Sequence, residues 1–185
     1  NVSDPMIDIL EKARTGGEIS RDEIAFMYNE VDIKKLGYAA RILTDKITGR
    51  QVSFVSNMIL NYTNICNVRC NFCAFYRTGK EEDSYTMTAE QVVERLRQFH
   101  SAYGIRQLLI QGGVNPDLPL EYYTDLFRKI KREFPEIGIN GLSTSEISFI
   151  ARKEKTSLRD VLQSLRESGL ETIPDAGAEI FSADV

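Results

Sequence analysis

Residues 107–142 read QLLIQGGVNPDLPLEYYTDLFRKIKREFPEIGINGL. This stretch opens with a short apolar run at Gln107–Gln111, which predicts a strand. A helix follows over Leu120–Phe134 and ends at Pro135, and a second predicted strand covers Ile137–Leu142. Because parallel strands need a crossover connection that is usually a helix, this order predicts a parallel βαβ unit and an α/β protein.

The same alternation extends on both sides of this unit. We predict a strand over Val52–Tyr62, a helix over Thr88–Tyr103, a helix over Ser157–Ser168 capped by Gly169, and a fourth strand over Leu170–Ile173. About four βα units with right-handed crossovers build either a doubly wound sheet or a TIM-type barrel.

The number of predicted βα units is too small for a closed barrel. A closed barrel needs eight units and roughly 250 residues, whereas the chain has 185. We therefore expect a fragment of a longer protein, a natural half-size protein being the alternative. Four parallel strands leave two open edges, so we expect the chain alone to be inactive or unstable.

Helical signals dominate the opening segment. Ser20 and Glu23 have capping-box spacing, apolar residues recur at helical intervals after them, and Gly49 is a typical C-cap. We predict an N-terminal helical segment over residues 1–49 and the α/β part over residues 50–185.

Charge and hydropathy argue against several partners. The net charge is −4, the pI is near 5.2 and no Lys/Arg tract occurs, so neither nucleic acid nor an anionic membrane is an expected partner. No apolar run approaches the roughly 20 residues of a membrane span, and the first residues do not form a signal peptide. We expect a cytoplasmic protein of undetermined oligomeric state.

The cysteines point to metal chemistry. Cys66, Cys70 and Cys73 have CxxxCxxC spacing on the loop after the first predicted strand. An odd number of clustered thiols indicates metal ligation in a reducing compartment and not a disulfide framework. Three thiolates on a [4Fe–4S] cluster leave one iron without a protein ligand, and S-adenosylmethionine (SAM) can bind that iron. The alternative is a zinc site completed by His100, the single histidine.

Longer strings carry a family resemblance. The chain contains NYTNICNVRCNFCAFYR at 61–77, QGGVNPDLPLEYYTDLFRKIKREFP at 111–135, GLSTSEI at 141–147 and GAEIF at 177–181. With these it resembles the radical SAM enzymes of the futalosine menaquinone pathway, from about Gly17 to Phe181. Family proteins are about twice as long, which fits the first half of a (β/α) TIM-type radical SAM barrel.

The resemblance implies an activity. It points to an oxidoreductase that cyclises dehypoxanthine futalosine through a 5′-deoxyadenosyl radical, using a [4Fe–4S] cluster, SAM, an electron donor and a small nucleoside substrate. An aminofutalosine synthase, a deazaflavin synthase component and a non-catalytic metal-binding module are the alternatives. The family's catalytic acid/base is expected on later strands, so no residue of this chain is assigned that role.

The resemblance also implies site residues. Cys66, Cys70 and Cys73 would hold the cluster. The residues expected to contact SAM or the polar groups of the substrate are Phe72, Tyr76, Gly112, Gly113, Ser143, Glu146 and Glu179. For Ser143 and Glu146 a capping box at a helix start is the compatible structural alternative.

One segment departs from the family pattern. The family motif that ends at Glu179 reads Pro-Gly-Gly-Gly-Ala-Glu. This chain has Asp175 and Ala176 in place of its first two glycines. We expect these side chains to crowd the SAM pocket.

Overall fold

A computed structural model of the chain describes residues 4–174. The chain divides into two compact units, with the boundary between Phe54 and Val55 in the sequence.

The first unit consists of three helices, which the sequence predicted as a helical segment. They are α1 Pro5–Arg14, α2 Arg21–Glu30 and α3 Ile33–Thr48. A polar side chain caps each start, and Ser20 with Glu23 forms the predicted capping box. Gly49 ends α3 with φ near 67°, a conformation that glycine adopts readily.

The second unit is a parallel sheet with helical crossovers, as the alternation predicted. Its strands are β1 Asn57–Asn61, β2 Gln107–Gln111, β3 Gly138–Gly141 and β4 Leu170–Thr172, in the order β1-β2-β3-β4. The helices are α4 Ala89–Tyr103, α5 Leu120–Glu133, α6 Thr144–Glu154 and α7 Leu158–Glu167. Within residues 4–174 this is an open, partial barrel.

One face of the sheet carries the core. Side chains alternate along each strand, and Met58, Leu60, Leu108, Ile110 and Ile139 are buried together with apolar residues of the helices. Each such side chain contributes about 1.5–3 kcal/mol when it is fully buried. The opposite face is more open, and Ile59 is 66% exposed there.

The strand predicted at Val52–Tyr62 is shorter than expected. It begins at Asn57, which pairs with Gln107. In the same register, residues 54 and 55 would need partners at Gly104 and Ile105, but Gly104 takes a left-handed conformation to end α4. Val52 and Phe54 are therefore more than nine-tenths exposed.

Register places the loops that follow the strands at one edge. Asn61 pairs with Gln111, and Ile110 pairs with Gly141. Because all strands run in the same direction, the cysteine loop, Gly112 and Ser143 all follow carboxyl ends at that edge. No helix in residues 4–174 has both the length and the apolar character needed to cross a membrane.

Candidate functional site

The three cysteines lie on the loop directly after β1. All three are free thiols; Cys70 is exposed, and Cys66 and Cys73 are partly exposed. The Cys73 N–H donates to the Cys70 carbonyl at 3.1 Å, so the second half of the motif is a tight turn. The loop therefore presents all three sulfur donors from one short segment at the carboxyl end of a strand.

Buried polar contacts fix the start of this loop. Asn64 is 4% exposed, and its Nδ2 donates to the Asp83 carbonyl at 2.8 Å while its Oδ1 accepts from the Tyr85 N–H at 2.8 Å. The Thr63 hydroxyl donates to the Tyr85 carbonyl at 2.8 Å. These side-chain contacts add to an antiparallel backbone bridge between Thr63 and Thr86, and together they join the loop to the segment before α4.

A further contact ties the loop to the turn after β2. The Asn115 Nδ2 donates to the Thr63 hydroxyl at 3.1 Å and to the Thr86 hydroxyl at 3.0 Å. Asn115 is 2% exposed. Sequence reasoning missed this group, because its members are separated by as many as 52 residues and follow no local pattern.

Arg77 closes the loop at its other end. The Cys66 N–H donates to the Arg77 carbonyl at 2.9 Å, and the Arg77 N–H donates to the Asn64 carbonyl at 2.7 Å. The guanidinium donates to both carboxylate oxygens of Asp83, at 2.7 and 2.6 Å. This hydrogen-bonded ion pair holds the pKa of Asp83 below its ordinary value.

The glycine pair after β2 packs against the cysteine loop. A Cβ added to Gly113 would lie 2.2 Å from the Ile65 carbonyl oxygen and 2.8 Å from the Cys66 Cβ. A Cβ added to Gly112 would lie 2.8 Å from the Tyr62 Cζ. Neither glycine is among the described residues with positive φ, so both positions need glycine for lack of space rather than for backbone conformation.

Ser143 and Glu146 form the capping box that begins α6. The Glu146 N–H donates to the Ser143 Oγ at 3.2 Å, and the Ser143 N–H donates to Glu146 Oε2 at 2.6 Å. Glu146 Oε1 also accepts from the Tyr62 hydroxyl at 2.5 Å and from the Gly112 N–H at 3.2 Å. Burial raises the pKa of Glu146, and these hydrogen bonds act in the opposite direction.

The remaining predicted site residues are Phe72, Tyr76 and Glu179. Phe72 is 92% exposed, and Tyr76 is partly exposed on the same loop. Glu179, like Asp175 and Ala176, lies outside the described residues. The structure thus brings together the cysteine loop, the glycine pair and the start of α6.

A family comparison decides the class of this site. The sequence model of the Radical SAM superfamily matches residues 60–176, which hold the cysteine loop, the glycine pair and the α6 start. The chain belongs to the radical SAM superfamily. Members of this superfamily use a [4Fe–4S] cluster and SAM.

Individual relatives differ in what their names say they do. The chain is 36% identical over 177 residues to cyclic dehypoxanthine futalosine synthase of Halalkalibacterium halodurans, covering 95% of this chain and 48% of the relative. It is 35% identical over 178 residues to a 5-amino-6-(D-ribitylamino)uracil–L-tyrosine 4-hydroxyphenyl transferase of Methanopyrus kandleri, with 96% and 48% coverage. The chain therefore spans about half the length of these relatives.

A solved structure confirms the predicted fold. The crystal structure of methylornithine synthase (PylB) matches with a TM-score of 0.58 at 16% identity, covering 90% of this chain and 58% of that one. This likeness in fold, over 58% of that chain, confirms the prediction of a partial TIM-type barrel.

The residues present fit a radical SAM cluster by their chemistry. Within residues 4–174, no three Cys, His, Asp or Glu side chains converge as a single metal ion requires. A cubane cluster takes each thiolate on a separate iron, so its ligands lie farther apart than the ligands of a single metal ion. His100, the fourth ligand of the zinc alternative, contacts the Ile105 carbonyl through Nδ1 at 3.0 Å and Glu136 through Nε2 at 3.3 Å.

Proposed function

We propose that the chain is the part of a radical SAM enzyme that holds the cluster and SAM, and that the enzyme cyclises dehypoxanthine futalosine. The structural observation that supports the cofactor-binding part of this proposal is the packing of Gly113 against Ile65 and Cys66. It places the turn after β2 in contact with the first thiol of a three-cysteine loop.

Cys66, Cys70 and Cys73 would ligate three irons of the cluster. The cluster, once bound, would supply one-electron reductive chemistry to SAM, with an external low-potential donor as the source of the electron. The protein's part is to orient these groups. Hydrogen bonds from Thr63, Asn64 and Asn115 hold the loop in place.

The remaining predicted contacts keep separate roles in this proposal. Exposed Phe72 and partly exposed Tyr76 are free to contact the adenine end of SAM, since aromatic faces stack on flat rings. The backbone of Gly112–Gly113 would line the methionine end. Ser143 is partly buried at the same edge, and Glu179 is proposed for the SAM ribose from the resemblance alone.

The substrate assignment rests on the resemblance and on the 36% relative. The transferase is only slightly less similar, at 35%, and so a tyrosine-dependent transfer to 5-amino-6-(D-ribitylamino)uracil is the second candidate. A small-molecule substrate is common to both. A cytoplasmic location and an electron donor for the cluster are part of the same proposal.

Anaerobic purification followed by mass spectrometry tests the proposal. We expect the full-length enzyme that contains this chain to be a brown protein with about four irons per chain, which after reduction cleaves SAM and consumes dehypoxanthine futalosine. Each of Cys66→Ser, Cys70→Ser and Cys73→Ser should lower iron content and abolish SAM cleavage, whereas His100→Ala should retain both. A colourless protein with one zinc would refute the cluster assignment.

Substrate competition separates the candidates. Dehypoxanthine futalosine, the enolpyruvyl-benzoate substrate of aminofutalosine synthases, and 5-amino-6-(D-ribitylamino)uracil with tyrosine are offered in parallel to the same reduced protein. Turnover of either of the latter two without turnover of the first would replace the specific assignment and leave the cluster assignment intact.

A further inference from the structure

Glu146 joins three separate elements at the edge where the cofactors are proposed to bind. Its carboxylate accepts from the Tyr62 hydroxyl at the end of β1, from the Gly112 N–H after β2, and from the Ser143 N–H before α6. The residue is 2% exposed, and Tyr62 is fully buried. A carboxylate with this burial and these contacts faces protein and not solvent.

The hydrogen-bond donors around the Glu146 carboxylate favour its ionised form. The N–H groups of Gly112 and Ser143 can only donate, and the ionised carboxylate offers acceptors on both oxygens. The Tyr62 hydroxyl supplies the third donor. The first turn of α6 also favours a negative charge, because the amide dipoles of a helix point their positive ends toward its start.

The contact continues from Gly112 to the first cysteine. The Tyr62 ring occupies the space next to the Gly112 Cα, with Cζ 2.8 Å from the position of an added Cβ. Gly113 follows directly and lies against Ile65 and Cys66 in the same way. The position of the Gly112 peptide thus sets how closely the turn after β2 approaches the cysteine loop.

We infer that Tyr62 and Glu146 are positioning residues that hold the Gly112–Gly113 turn against the cysteine loop and thereby set the affinity for SAM. In this role Glu146 acts through its hydrogen bond with the Gly112 N–H. Neighbours that orient metal ligands affect affinity in this way although they never touch the metal. This inference rests on the proposed function.

The test compares two tyrosines of one aromatic cluster. The ring centroids of Tyr62 and Tyr122 are 5.8 Å apart, and each hydroxyl makes a hydrogen bond, that of Tyr122 to the Met87 carbonyl at 2.7 Å. Tyr62→Phe and Tyr122→Phe therefore remove one hydrogen-bonded hydroxyl each, from a fully buried and a partly buried ring, but only the first removes a donor to Glu146. Anaerobic protein with reconstituted cluster is titrated with SAM, and the EPR spectrum of the reduced cluster is recorded.

We expect Tyr62→Phe to keep its iron content, to bind SAM about tenfold more weakly, and to change the EPR signal of the SAM-bound cluster. Tyr122→Phe should match the wild type in SAM affinity and in this signal. Equal SAM affinity in Tyr62→Phe and the wild type would overturn the inference, as would equal weakening in both variants. A wild type that binds no cluster or no SAM would instead refute the proposed function.

A second pair of variants covers the case in which Tyr62→Phe fails to fold. Glu146→Ala removes every acceptor, whereas Glu146→Gln keeps one carbonyl oxygen that can serve both Tyr62 and Gly112. SAM affinity should fall in Glu146→Ala and be largely restored in Glu146→Gln. Wild-type affinity in Glu146→Ala would overturn the inference.

Discussion

Gly113 lies so close to Ile65 that a Cβ on the glycine would come within 2.2 Å of the Ile65 carbonyl oxygen. Real Cβ atoms do not approach backbone oxygens to this distance. The glycine is therefore required by contact between two protein segments. A ligand approaching the glycine backbone, which the sequence suggested, would be additional to that contact.

Gly113→Ala should push the cysteine loop away from the turn after β2. Overpacking of this kind costs about 1–3 kcal/mol, and we expect iron content to fall because Cys66 moves with the loop. Iron and sulfide analysis after anaerobic reconstitution measures this effect.

Gly37→Ala is the matched control for that experiment. It makes the same substitution inside α3, where an added Cβ meets no atom within 4 Å. We expect unchanged iron content and a gain of about 0.5–1 kcal/mol in unfolding free energy, since alanine favours helix over glycine. Normal iron content in Gly113→Ala would show that the close contact is not needed for the cluster.

Asp83→Asn should destabilise the closed loop in a pH-dependent way. The Arg77 ion pair holds the pKa of Asp83 below its ordinary value of 3.8. The ion pair therefore stabilises the fold above that value, and this stabilisation is lost as the pH falls through the lower folded pKa. The difference in unfolding free energy between wild type and variant should be constant at neutral pH and shrink below about pH 4. Urea unfolding across the acid range, in cluster-free protein, measures it; a difference independent of pH would contradict the prediction.

His100→Ala should cost stability without affecting the cluster. The variant loses the contact between Nδ1 and the Ile105 carbonyl and the packing of the ring on Phe134, whose centroid is 5.4 Å away. We expect a loss of about 1–3 kcal/mol in thermal or urea unfolding. Iron content serves as the second readout, and its loss in this variant would bring back His100 as a metal ligand.

Phe72→Ala should leave stability unchanged but weaken the binding of SAM. The Phe72 side chain is 92% exposed, so its removal should change the unfolding free energy by less than about 0.5 kcal/mol. If Phe72 contacts SAM, as we propose, the variant should bind SAM more weakly at normal iron content. Ala substitution at Phe75, 41% exposed on the same loop, is the control, and equal SAM affinity in both variants would remove Phe72 from the site.

Local sequence determined the elements of this fold. The capping box of Thr88 with Gln91 and that of Ser143 with Glu146 both form where their spacing predicts them. Pro135 follows the end of α5 as expected, and the apolar runs become strands. These features were predictable because caps, periodicity and prolines act between residues close in the chain.

Tertiary structure decided which side chains of different helices, strands and loops come into contact. Glu146 is recognisable in the sequence as a helix cap, but its bond to Tyr62 spans 84 residues and follows from strand register. Asn115 likewise reaches Thr63 because parallel strands bring their carboxyl ends to one edge, and it reaches Thr86 because Thr86 pairs with Thr63 in an antiparallel bridge.

The cysteine loop shows both contributions. By itself the sequence determined the CxxxCxxC spacing, and hence the three sulfur donors of one segment. Only the tertiary structure decided why glycine stands opposite Cys66 and which side chains fix the loop, because close packing depends on distances between segments that are remote in the chain.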